Sequence, residues 1–386
     1  MPYGGKNGAA VRRRTPAACL VAVLLAVGCC ACGPGTATGQ ATPTDPVTGA
    51  DRASWPGFLA WLNQRAQAGT FSGAVLVTED GVPVVRQAGG FADVARQRAN
   101  TIDTRFNIGS IGKTFTAVAI AQLVEQGKLA FDAPVGRYVP GFPSDVGREI
   151  TVEMLLTHTS GLVNVRRHPP QTPPMDISEA LTWIVGEPPA FEPGSRFGYS
   201  NTNYIVLGAV VEAVTGQDYY EYVREHVFVP AGMTHTGWYT LGQAPGMAHA
   251  YLPGDTPARP QTWNDIGIGG PAGNPSGGAY STVGDLTRFA AALLEHRLLG
   301  PAMTETVLTG RVDTGRPGPA QVSRYGYGFE VEHRNGVRIV GHSGGAPGVD
   351  AQLRIYPEAG CVVVILANLD RSARAVYDRI NRILAP

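Results

Sequence analysis

Ser110 and Lys113 stand three residues apart in the stretch "FNIGSIGKTFTAVAIAQLVEQGKL", Phe106 to Leu129. On a helix, residues i and i+3 share a face, so the Lys113 amine would lie beside the Ser110 hydroxyl. A serine hydroxyl is a weak nucleophile until a neighbouring base takes its proton, and an adjacent amine can serve as that base. A helix start also offers unpaired backbone N–H groups and a partial positive charge, which suit an oxyanion formed at an attacked carbonyl. The run "TFTAVAIAQLVEQ" after Lys113 is apolar enough to anchor the pair in a core. Taken alone, an S-x-x-K spacing is common and fits an ordinary helix start equally well.

Two other readings of nearby glycine-rich stretches fail. Gly112-Lys113-Thr114 resembles the end of a phosphate-binding loop, but that pattern needs a glycine five positions before Gly112, where the chain has Asn107. "GHSGG", Gly341 to Gly345, fits the G-x-S-x-G pattern of a nucleophile elbow. That elbow needs a helix after the serine and a histidine later in the chain. A strand-like "DAQLRIYP" follows instead, and His342 is the last histidine.

The elements that must position Ser110 follow from the patterning. Lysine plus arginine equals aspartate plus glutamate, 31 each, so no basic surplus points to nucleic acid. "WPGFLAWLNQRAQAG" places Trp55, Phe58, Leu59 and Leu62 on one helical face. "FSGAVLVTEDGVPVVRQAGG" reads as two strands around a glycine turn, and a long helical region follows. Strands return in "YGYGFEVEHRNGVRIVGHSG" and "DAQLRIYPEAGCVVVILANL", with Asn335-Gly336 as a hairpin turn, and "SARAVYDRINRILAP" closes as a helix. Strands at both ends with helices between predict an α+β fold. Its antiparallel sheet is shared by the two chain ends, its second lobe is mostly helical, and the site lies in the cleft between.

Two further motifs follow Ser110 in order. Tyr199-Ser200-Asn201 lies in "FEPGSRFGYSNTNY", just before a helix, and His342-Ser343-Gly344 ends a strand pattern. With "LLTHTSGL" and "PSGGAYSTVGDLTRFAAALL", the chain from about Ser72 to Asp370 resembles the serine β-lactamase and penicillin-binding-protein superfamily. The likeness is to the class C β-lactamase-like branch, which includes esterases and D-amino-acid peptidases. It implies a β-lactamase/transpeptidase-like fold and an acyl-Ser110 intermediate on an amide or ester bond. Lys113 would be the proton partner and Tyr199 a general acid/base. Asn201 would bind the acyl-amide side of the substrate. His342, Ser343 and Gly344 would take the place of the K-T-G strand, with the N–H groups of Ser110 and Gly345 as the oxyanion hole. Free tyrosine titrates at about 10, a nearby ammonium would lower it, and burial would make the lysine neutral, so Lys113 and Tyr199 both stay open as the base.

One departure bears on substrate. His342 stands where β-lactamases and most penicillin-binding proteins carry lysine, so the cleft would hold only partial positive charge for a substrate carboxylate. This leaves acyl transfer in place and opens a carboxylesterase or D-aminopeptidase-like activity beside β-lactam hydrolysis. The alternative from another class is a catalytically inactive binding protein on the same fold. The expected partner is a small-molecule or short-peptide acyl substrate, with no nucleic acid, nucleotide, metal or other cofactor.

The N-terminus reads as a processing segment. Arg12-Arg13-Arg14 precede an apolar run, Ala17 to Gly28, whose 12 residues are short of the roughly 20 needed to span a bilayer. "LLAVGC" resembles a bacterial lipobox with Cys29 as the lipidated residue. The expected organisation is a signal peptide at 1–28, a flexible tether at 29–50 and a hydrolase domain at 51–386. The protein would then be exported and held at the cell envelope by Cys29, or else secreted. Cys361 reads as buried filler, His158-Thr159-Ser160-Gly161 as a helix-ending turn, and Tyr219, Tyr220 and Tyr222 as packing. Arg166-Arg167-His168 reads as a solvated loop. The glycine- and proline-rich stretch from Pro253 to Gly278 is long enough to border the cleft.

Overall fold

A computed structural model of the protein describes residues 54–164, 176–239, 242–252, 273–315 and 322–386. The expected signal peptide, the tether with Cys29, Arg166-Arg167-His168 and residues 253–272 lie outside the described residues.

The main sheet is built from β1 (Gly73–Glu79), β2 (Val82–Gly89), β3 (Val312–Asp313), β4 (Val322–Tyr325), β5 (Glu330–Arg334), β6 (Val337–Ala346), β7 (Val349–Tyr356) and β8 (Cys361–Ala367). Its order is β2-β1-β8-β7-β6-β5-β4-β3, with every pairing antiparallel. The two chain ends meet where Gly73–Glu79 runs against Cys361–Ala367, as the patterning predicts. Asn335 (φ 49°) and Gly336 (φ 84°) both hold the left-handed backbone that a two-residue hairpin turn demands. That turn fixes the register of β6, and register decides which side chains face which layer.

The sheet is covered on both faces. On one side α1 (Trp55–Gln67) and the last helix, Ala373–Leu384, pack against Val75, Val77, Ile339 and Val363. On the other, Ala74, Val340, Leu353 and Val364 join the core of the helical lobe. At the centre of that lobe runs α2 (Gly112–Glu125), buried from Gly112 through Leu123. A helix apolar all round belongs inside a protein. Phe115 pins it edge-on between Phe228 and Phe289, each ring 5.0 Å away. Such contacts add about 0.5–1.5 kcal/mol each beyond the area they bury. The first turn of α2, with Ser110 just before it, is thus set in the core of the helical lobe. Tyr219 and Tyr222 are buried and Tyr220 packs on Trp238, in keeping with a packing role, and Cys361 is buried.

Candidate active site

Ser110 lies in a single 3-10 turn, Gly109–Ile111, that leads straight into α2. Asn107, the residue that breaks the phosphate-loop pattern, shapes this turn. Its side-chain oxygen accepts from the Gly109 N–H at 2.9 Å and its amide donates to the Gly278 carbonyl at 3.3 Å. Gly109 has φ +49°, and a Cβ there would come within 2.8 Å of the Gly345 nitrogen. A Cβ on Gly344 would run into the Ile108 carbonyl. Bare backbone on both sides is what lets β6 press against the serine turn.

Lys113 has no solvent exposure. Its Nζ lies 3.1 Å from Ser110 Oγ, 2.7 Å from Asn201 Oδ1 and 2.6 Å from the Ser276 carbonyl. Burial pushes the amine well below its ordinary 10.5, against the Glu330 carboxylate, which favours the charged form. The two carbonyl oxygens can only accept, so each takes one Lys113 proton. When the amine gives up its third proton, the freed lone pair falls on the Ser110 hydroxyl, which is the geometry a general base needs.

Asn201 opens the helix Asn201–Thr215, as expected, and its backbone N–H donates to Asn164 Oδ1 at 2.6 Å. The Tyr199 ring lies beside Lys113, with Nζ 5.0 Å from the ring centroid. Ser276 belongs to the "PSGG" flank, so the described end of the Pro253–Gly278 stretch does border the cleft.

The third motif differs from expectation in two respects. Val340, His342 and Gly344 face the helical lobe, whereas Ile339, Ser343 and Gly345 fall on the opposite side by strand alternation. The Ser343 hydroxyl is therefore not aimed at Ser110, and it donates to Glu330 Oε1 at 2.9 Å. Burial pushes the Glu330 carboxyl up, but Arg354 at 2.7 Å, His342 and the bonds from Arg354 and Ser343 outweigh it and hold the group at about 2. A cavity of about 820 Å³ opens on this side, lined by Glu330, Ser343, Gly345, Gln352, Arg354 and Arg374 among others.

His342 is not partly charged. It is buried, and burial drives it down to about 4, with Glu330 pulling up and Lys113 pushing down. Its Nδ1 sits 2.5 Å from the Ser343 carbonyl, so that nitrogen carries the proton. Its Nε2, 2.9 Å from the Tyr325 hydroxyl, accepts.

The end of β6 offers a backbone donor. β5 pairs with β6 only as far as Gly341. Ala346 and Val349 close the two-residue turn to β7. Such a closing pair is hydrogen bonded and the ladder alternates, so Gly345 turns its N–H away from β7, on the side where β5 has ended. Gly109 and Ser110 lie there, and the Ser110 N–H belongs to the first helical turn, whose donors have no intrahelical partner.

A serine in a single 3-10 turn, a buried amine beside it and two converging N–H groups make an arrangement that can carry out acyl transfer. The family model described as Beta-lactamase matches residues 60–385. The chain belongs to the Beta-lactamase family. PbpX of Bacillus subtilis (strain 168) is 31% identical over 309 residues, 79% of this chain and 72% of that protein. The penicillin-binding protein from Bacillus halodurans superposes with a TM-score of 0.73 at 33% identity, covering 83% of this chain and 98% of that one. The D-stereospecific amidohydrolase from a Streptomyces species superposes with a TM-score of 0.68 at 26% identity, covering 83% and 97%. Family membership makes the protein a serine hydrolase of the β-lactamase and penicillin-binding-protein type on the α+β fold that the family shares.

Residue-level reading missed three contributors. Asn164, Tyr325 and Glu330 all touch the motif residues, yet none lies within a motif. His158 does end a helix, in a left-handed turn, but its ring also packs on Tyr199. The "LLTHTSGL" flank was the available signal for it.

Proposed function

We propose that this family member hydrolyses neutral or amine-bearing esters and amides, D-amino-acid amides and esters among them, through an acyl-Ser110 intermediate. The observation that carries this is the buried Lys113 amine, held by two carbonyl oxygens, 3.1 Å from Ser110 Oγ and pushed by burial well below its ordinary pKa. Lys113 takes the Ser110 proton as Oγ adds to the substrate carbonyl, and the N–H groups of Ser110 and Gly345 hold the oxyanion. The proton then passes by way of Tyr199 to the leaving nitrogen or oxygen as its bond to the carbonyl carbon breaks. Water, activated by the same base, releases the acid and restores the serine. Asn201 contributes the amide of its side chain to the acyl portion.

The substrate class follows from charge. His342 is neutral and Ser343 is bonded to a carboxylate, so the third motif presents no cation to a substrate carboxylate. The likeness to the Streptomyces D-stereospecific amidohydrolase supports this. The test compares p-nitrophenyl esters, D-amino-acid p-nitroanilides and a fluorescent penicillin. Ester or anilide turnover with slow penicillin labelling is the expected result. Rapid penicillin acylation without turnover of the other two would assign a carboxylate-bearing substrate, and no reaction with any would leave a binding protein.

We infer also that the protein is exported and anchored at the cell envelope through Cys29. The basic Arg12-Arg13-Arg14, the short apolar run and the lipobox-like "LLAVGC" support this. Cys29→Ala should move the protein from the membrane fraction to the soluble exported fraction. An unchanged distribution would remove the anchor.

A further inference from the structure

We infer that His158 is a positioning residue for Tyr199, an inference that rests on the proposed role of Tyr199 in proton transfer. His158 is fully buried and has φ +59°, a backbone conformation that few residues other than glycine, asparagine, aspartate and histidine adopt. From this turn it grips three consecutive residues of the second motif's approach. Its carbonyl accepts from the Gly198 N–H at 2.8 Å. Its ring lies 4.3 Å from the Tyr199 ring, tilted by 39°. Its Nδ1 faces the Ser200 N–H at 3.3 Å and the Asn203 amide at 3.0 Å. Two donors converge on Nδ1, so that nitrogen is the unprotonated one.

The grip is itself braced. Asn203 Oδ1 accepts from Ser160 Oγ at 2.6 Å, and Ser160 Oγ accepts from the Leu162 N–H at 3.0 Å. Tyr325, which holds His342, also packs on the His158 ring, at 4.8 Å. The turn 158–162 and the segment 198–203 therefore move as one piece. On that piece ride the Tyr199 ring beside Lys113 and the Asn201 oxygen that takes one of the Lys113 protons. A filler ring would need only the stacking. His158 adds a bond to backbone on each side of Tyr199, which sets where that ring sits relative to Lys113 and Ser110.

A double-mutant cycle separates positioning from a merely structural role, with p-nitrophenyl acetate as the reporter ester. His158→Asn keeps a residue that tolerates the left-handed turn but removes the ring. In the wild-type background it should lower kcat by about 10- to 100-fold with KM within about threefold, and in a Tyr199→Phe background it should change kcat by less than about twofold. An equal loss in both backgrounds, or no loss of kcat in either, overturns the inference. If Tyr199→Phe alone keeps the wild-type kcat, the role of Tyr199 falls and this inference with it, a result distinguishable from additivity. Should His158→Asn fail to fold, the cycle is run with Asn203→Ala, which removes a donor to Nδ1 and the acceptor of the Ser160 hydroxyl but leaves the His158 ring in place. A loss that disappears in the Tyr199→Phe background then supports the inference, and an additive one overturns it.

Discussion

Ser110→Ala removes roughly 10⁴-fold or more of the ester or amide turnover and abolishes the burst of product that marks an acyl-enzyme. The magnitude follows from the proposed role of its hydroxyl as the one group that forms the covalent bond. What remains, two backbone donors and a bound substrate, can polarise a carbonyl but has nothing positioned to attack it. The fold should hardly notice. The Ser110 side chain is half-buried, and Lys113 keeps its two bonds to Asn201 Oδ1 and the Ser276 carbonyl. The expected stability change is within about 1 kcal/mol, the value of a single hydrogen bond. Steady-state turnover, a pre-steady-state burst and a denaturant melt on the same preparation check all three statements. Turnover that survives with a burst would mean that another serine is acylated.

Lys113→Met carries the second-largest effect and a distinctive pH signature. Loss of the base costs about 10²–10⁴-fold in kcat/KM. In the unaltered protein, burial places the Lys113 pKa well below 10.5. Only the neutral amine accepts the Ser110 proton, so kcat/KM rises with pH as Lys113 deprotonates and is flat above. Lys113→Met should erase that limb. Stability provides an independent reading. The unfolded chain binds a proton on this lysine up to about 10.5 that the folded chain releases earlier. Between the lowered folded value and 10.5 the unfolded state therefore holds more protons, and stability rises with pH. That part of the pH dependence should be missing from Lys113→Met. Unchanged pH profiles of both kinds would show that Lys113 is charged in the folded protein and is not the base.

Much of this site is legible in the chain because its parts are local. Ser110 and Lys113 meet because three residues of helix put them on one face. The helix after Ser200 starts at Asn201, and Asn335-Gly336 makes the hairpin that sets the β6 register. Helix periodicity and turn chemistry act over a few residues, so they can be read without knowing what packs where. The third motif shows the limit. The direction of Ser343 follows from strand alternation, but only once the sheet shows which face is which. The charge on His342 follows from burial under Tyr325 and from the balance between Glu330 and Lys113.

By itself the sequence determined the pairing of Ser110 with Lys113, the order of the three motifs and the α+β architecture that both chain ends share. These rest on spacing along the chain and on patterns of apolar residues. Only the tertiary structure decided that Lys113 is buried between Ser110, Asn201 and Ser276, that burial drives the His342 pKa down, that Ser343 bonds to Glu330 and that His158 packs on Tyr199. Each depends on desolvation, or on a contact between residues far apart in sequence. The electrostatics of a buried group are set by everything that excludes water from it, and no local stretch of sequence contains that information.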